Sequence, residues 1–251
     1  MAAQPPSPAR LRPLEPGRPA YQQIEEQLLA AMGRGELQPG ARLPPERELA
    51  TALGVSRMTL RQALDGLEQR GLLVRAGGRG TYIAEPKVQQ DLRALRTYPD
   101  ELRGQGVESA TELLESDTGE PPLVAAQALG LAEGAPAHRI LRLRRAGGVP
   151  LLLETAWLDA VAHPDLLDHD FTGSLWDVMA TLGRTATRAV ERLEPALATD
   201  EQAAALDVAP GVPLMRVERV TYDQLDRPLE FAVGFFRGDR TSFVVEVRAT
   251  A

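Results

Sequence analysis

The chain has 251 residues, 43% of them hydrophobic and 25% charged, with a net charge of −7 and no cysteine. That length suits two ordinary domains, and the composition excludes a fibre or a wholly disordered chain. The missing cysteines exclude disulfides, thiolate nucleophiles and thiolate metal sites. No apolar run nears the ~20 residues that cross a bilayer, so a cytoplasmic protein without a membrane partner is expected.

Residues 1–19 hold six prolines and few large apolar groups, and read as a disordered arm. Arg10, Arg12 and Arg18 could let it touch DNA; a passive tail is the alternative. In residues 21–32 the spacing of Ile24, Leu28 and Ala31 predicts a helix, stopped by Gly33 and Gly35. Leu37-Gln38-Pro39-Gly40 is a turn, and Pro44-Pro45 leads into a second helix over 46–53 with Leu49 and Leu53 facing inward. Gly54 can take the positive φ that ends this helix, and Ser56 can cap the next. On that third helix Leu60, Leu64 and Leu67 form one apolar stripe, while Arg57, Thr59 and Arg61 lie off it near the N-terminus. Such a layout suits a helix that reads base edges in the major groove. Residues 72–75 and 81–84 then pair as a hairpin around Gly77-Gly78-Arg79-Gly80, a wing. Charge agrees: residues 1–85 hold 11 arginines against 9 carboxylates, whereas the remainder is acidic, so only the N-terminal third offers a DNA face.

The run from Tyr21 through GELQPGARLPPERELATALGVSRMTLRQALDGLEQRGLLVRAGGRGTYIA resembles the winged helix–turn–helix of the GntR superfamily of bacterial transcription factors. The resemblance implies Arg47, Arg57, Thr59 and Arg61 in or beside the major groove, and Arg79 with Gly80 at the minor groove. Ser56 would be both helix cap and phosphate contact. An arginine fork fits the O6/N7 edge of guanine, and a slim wing tip can enter a narrow minor groove. The plainer alternative is that Arg47 and Arg61 are solvated and paired with neighbours such as Glu48 or Asp65. Pro45 departs from the family, which commonly has serine there; the helix start is kept but a hydroxyl is lost.

Residues 85–97 read as a polar linker, placing a DNA-binding domain over 20–84 and a second domain over 98–251. In the second, strands are predicted over 111–115, 138–146 and 149–158, the last two joined at Gly147-Gly148. A helix over 122–129 lies between the first two. Helices follow over 165–167 and 174–182, a strand over 185–193, and a helix over 199–206 opened by a Thr199/Gln202 capping box. Strands over 213–223, 228–237 and 241–248 close the chain. The fold class is α+β: a winged helix–turn–helix linked to a domain built around an antiparallel sheet. Arg142 and Arg144 alternate onto one strand face, where both guanidiniums can converge on one phosphate or carboxylate. Ser174 adds a hydroxyl at a helix start. Pairing with acidic neighbours is the competing reading of those arginines.

The segments RILRLRRAGGVPLLLETAWL, Gly173-Ser174-Leu175-Trp176 and DRPLEFAVGFFRGDR are similar to the effector-binding (UTRA) domain of the HutC branch, whose fold resembles chorismate lyase. In members that sense phosphorylated amino sugars, matching positions imply Arg142, Arg144, Ser174 and Thr97 around the anion, and Glu154 and Glu230 toward the sugar. Phe236 stands where such relatives tend to have tyrosine. The function implied is a repressor that binds a palindromic operator as a homodimer and responds to a small anionic metabolite, with no cofactor, metal or catalytic residue. Two alternatives stay open: a lyase-type enzyme using Glu154 and Glu230 as acid and base, and a regulator sensing a non-phosphorylated ligand.

Overall fold

The structure, a computed structural model, describes residues 11–76 and 80–249. Two compact units divide the chain between Pro86 and Lys87. In the first, α1 (Ala20–Gly33), α2 (Glu46–Leu53) and α3 (Arg57–Gln69) precede a hairpin of β1 (Leu73–Ala76) and β2 (Gly80–Ile83). Gly54 closes α2 in the left-handed region at φ 66°, which costs a residue without Cβ little. Two residues later the Ser56 hydroxyl accepts the Thr59 N–H at 3.1 Å and starts α3. The predicted stripes meet in one core, where Ile24, Leu28, Leu49, Leu60, Leu64 and Leu67 are all buried. Burying each such side chain is worth ~1.5–3 kcal/mol.

The expected disordered arm needs correcting where it is described. Residues 1–10 lie outside the described residues, but Leu11 and Leu14 pack on the core of the first unit. The Gln23 amide accepts from the Glu15 N–H and donates to the Glu15 and Arg18 carbonyls, and Gln27 binds the Arg12 backbone in the same way. Two leucines and prolines of fixed φ make ordering cheap, which the polar composition concealed.

The second unit runs β3 (Val88–Asp91), α4 (Tyr98–Gly104), β4 (Ser109–Gly119), α5 (Leu123–Leu129), β5 (Ala137–Ala146), β6 (Val149–Asp159), α6 (Leu175–Thr181), β7 (Ala186–Leu197), α7 (Asp200–Leu206), β8 (Pro213–Asp223), β9 (Pro228–Arg237) and β10 (Thr241–Val244). Six strands form an antiparallel sheet in the order β4-β5-β6-β9-β8-β7. One face packs Leu102 of α4 against Leu151, Leu152 and Phe236, and Leu175 and Met179 of α6 against Ile140 and Leu158. The other packs α5 and α7, through Leu129 and Leu206, against Phe231, Leu143 and Leu214. The Thr199/Gln202 capping box forms as predicted.

The expected linker over 85–97 is largely structured. Val88–Asp91 pairs in parallel with Thr241–Val244, and the Thr97 hydroxyl caps α4 by accepting the Asp100 N–H at 3.3 Å. A four-residue strand whose partner lies some 150 residues away leaves no local signal, and α4 was likewise missing from the sequence reading. The last strand ends at Val244, short of residue 248, and residues 166–168 form a single 3-10 turn. Among the described residues, no helix is long and apolar enough to cross a membrane.

Candidate functional site

Strand alternation gathers the predicted effector residues on one sheet face. Arg142 and Arg144 come from β5, Glu154 from β6, and Glu230 and Phe236 from β9, while Thr97 and Ser174 start the two helices on that face. All seven line one cleft of about 590 Å³, its open mouth included. Arg142 stands directly across the ladder from Glu154, and Glu154 across from Gly234.

The centre of the cleft is one carboxylate shared by two buried cations. Glu154 Oε2 accepts from Arg142 Nη2 at 2.6 Å and from Arg144 Nη2 at 2.8 Å. Burial pushes the Glu154 carboxyl up, but the Arg144 and Arg142 guanidiniums outweigh it and hold the group at about 2. Burial pulls the Arg142 guanidinium down, with Arg144 adding like-charge repulsion. The acidic-neighbour reading of these arginines is therefore realised for one carboxylate, and one positive charge remains in excess. Three of their buried donors, Arg142 Nε, Arg142 Nη1 and Arg144 Nη1, have no hydrogen-bond partner. Unsatisfied charged donors of this kind cost free energy that an anion would recover.

Around this centre Glu230 accepts from Trp176 Nε1 at 2.8 Å and Thr221 Oγ1 at 3.2 Å. Ser174 Oγ accepts the Asp177 N–H at 3.3 Å, and Thr97 Oγ1 donates to Asp100 at 2.7 Å. Phe236 is buried, edge-on to Phe243 with ring centroids 5.2 Å apart. Glu154, ionised and locked to two guanidiniums, is unsuited to the general-acid role that the enzyme alternative required. The sequence reading missed Arg96, Tyr98, Trp176 and Arg219 in the same lining. Arg219 donates to Glu191 at 2.6 Å and stacks 5.4 Å from the Trp176 ring. It shares a period of two with Val217 on β8, the signal that picked out Arg142 and Arg144.

On the first unit, Ser56, Arg57 and Thr59 occupy the exposed start of α3, with Ser56 Oγ 2.9 Å from Thr59 Oγ1. Arg61 is exposed and reaches Glu46 at 3.2 Å, not Glu48 or Asp65. Asp65 and Glu68 are held by Arg75 of β1, at 2.5 and 2.8 Å, which ties the wing to α3. Arg47, in the first turn of α2, is exposed. Gly80 opens β2 at φ 116°, with the Arg42 guanidinium against it: a Cβ there would lie 2.8 Å from Arg42 Nε. Arg79 lies outside the described residues.

Comparison with known proteins agrees with this division of labour. Residues 20–83 match the family model described as bacterial regulatory proteins, gntR family, and residues 104–242 match the UTRA domain. The chain is 36% identical to the HTH-type transcriptional repressor NagR of Bacillus subtilis over 90% of its own length and 93% of that protein. It is 34% identical to the HTH-type transcriptional regulator Rv0792c of Mycobacterium tuberculosis, covering 92% of this chain and 87% of the other. Its fold matches the crystal structure of PhnF from Mycobacterium smegmatis with a TM-score of 0.65 at 33% identity, over 89% of this chain and 98% of that one. With a reading head and a ligand domain each matched in turn, the chain belongs to the gntR family of bacterial regulatory proteins, as a DNA-binding, ligand-responsive transcriptional repressor of the HutC type.

Proposed function

We propose that the protein binds a palindromic operator as a homodimer in the cytoplasm and is released by a small anionic metabolite, a sugar phosphate such as an amino-sugar phosphate. The observation that carries the anion is the buried Arg142–Glu154–Arg144 group with its excess positive charge and three unpartnered donors. Ser174 and Thr97 supply hydroxyls at the rim, Glu230 faces the sugar, and Phe236 leaves that side without a hydroxyl. On DNA, Arg47, Arg57, Thr59 and Arg61 read or flank the major groove, Ser56 meets a phosphate, and Arg79 and Gly80 enter the minor groove. One winged module reads a half-site, so a two-fold pair matches a palindrome. Effector binding moves the two heads out of register with the operator.

The test is binding to DNA from the protein's own promoter region. A salt-sensitive, sequence-preferring shift is expected, and Arg57→Ala should weaken it by ~1–3 kcal/mol, the worth of one base-reading contact. Wild-type binding by Arg57→Ala would sink the assignment of α3, and a monomer mass in light scattering would sink the dimer.

A further inference from the structure

The turn Leu37-Gln38-Pro39-Gly40 leads into an extended segment that adds a third row to the wing, beside β2. Leu43 N–H donates to the Thr81 carbonyl at 2.8 Å, Ile83 N–H to the Ala41 carbonyl at 2.8 Å, and Gly40 N–H to the Ile83 carbonyl at 3.0 Å. Alternation then sorts the segment by face. Ala41 and Leu43 turn inward onto the core of the first unit with Leu73 and Ile83, while Arg42 turns outward, directly across from Tyr82. Val74, itself exposed, stands on the far side of Tyr82 in the same row.

From this row the Arg42 side chain runs along the wing to Gly80, the first residue of β2. The approach is so close that a Cβ at Gly80 would meet Arg42 Nε at 2.8 Å and Nη2 at 3.2 Å. Glycine at that position therefore lets a charged group lie flat on the wing, beside the residue expected at the minor groove.

The charge is also uncommitted. In the first unit Arg18 holds Glu26, Arg34 holds Glu36, Arg61 reaches Glu46, and Arg75 clasps Asp65 and Glu68. Arg42 is exposed and, among the described residues, has no hydrogen bond or ion pair. Its guanidinium offers a fork of donors that fits phosphate oxygens. Dimensions decide which part of a duplex it meets. The minor groove is ~6 Å wide, so a wing tip that enters it reaches base edges while the faces of the wing lie along the sugar-phosphate walls. A guanidinium held flat on one face meets a wall.

We propose that Arg42 is a DNA contact, binding a backbone phosphate on the wall of the minor groove and clamping the outer face of the wing to the duplex. Such contacts fix register and orientation without reading sequence. This rests on the placement of α3 and the wing on DNA given above, and adds a residue that belongs to neither the helix–turn–helix nor the hairpin.

Fluorescence-anisotropy titrations of the full chain against DNA from its own promoter region, between about 50 and 200 mM salt, test it. Arg42→Gln, which keeps much of the stem and removes the charge, should lower the slope of log affinity against log salt by about 0.9. That is a loss of roughly eightfold near 0.1 M salt, equal on promoter and random-sequence duplexes. Arg42→Lys should keep the wild-type slope, and both variants the wild-type melting temperature. Unchanged affinity and slope in Arg42→Gln overturns the contact, and so does a slope that Arg42→Lys loses as well. A loss confined to the promoter duplex, with the slope unchanged, overturns the phosphate in favour of a base. If Arg57→Ala weakens binding and Arg42→Gln does not, Arg42 alone leaves the interface; if neither does, the placement of α3 falls with it.

Discussion

Glu154 decides how the sensing cleft behaves residue by residue. It neutralises one of two buried guanidiniums, so its removal leaves both without an ion-paired carboxylate, Glu230 acting on Arg142 only through space. Glu154→Gln should cost about 3–5 kcal/mol in urea unfolding, part of it regained in millimolar phosphate as the anion takes over the pairing. The pH dependence has a definite sign. The folded carboxyl sits at about 2 against 4.5 for the free group, so its contribution is complete above about 4.5 and is lost as the pH falls toward 2. Stability of the wild type between those limits should therefore fall more steeply with acid than that of Glu154→Gln. The pairing of Arg142 and Arg144 on one face was legible from a period of two. The identity of their partner was not, because Glu154 lies on another strand and only the register sets it opposite Arg142.

Elements are where the sequence spoke most plainly. A left-handed glycine, a serine cap and a leucine stripe fixed α2, its turn and α3, since each acts through neighbours within one or two turns. Ser56→Ala should lower thermal stability by roughly 1 kcal/mol through the lost cap. Leu64→Ala, which empties the core beneath the reading helix, should cost ~2–5 kcal/mol by the same measurement. What was missed follows the same logic in reverse. The strand Val88–Asp91 exists because Thr241–Val244 lies beside it, and Arg96 and Tyr98 became visible as cleft residues only once that pair and α4 were in place. Arg75 is similar: nothing in its local sequence distinguishes a wing arginine that reads DNA from one that clasps Asp65 and Glu68.

For the whole molecule, the two activities must be coupled, and coupling is reciprocal. If an effector lowers operator affinity by the usual ~5–150-fold, operator DNA must lower effector affinity by the same factor, which titration of a bound sugar phosphate with and without DNA will measure. A mismatch between the two factors would mean that ligand and DNA do not act on one equilibrium. Sequence alone determined the family, the two-part organisation and the arginines at the start of α3, because these depend on local periodicity, capping and the unequal charge of the two halves. Tertiary structure alone decided that Arg142 and Arg144 share a buried carboxylate and that Arg219 and Arg96 join their cleft. Those facts arise from strand register across β5, β6, β9 and β8 and from a parallel pair some 150 residues apart, and no short window of the chain encodes either.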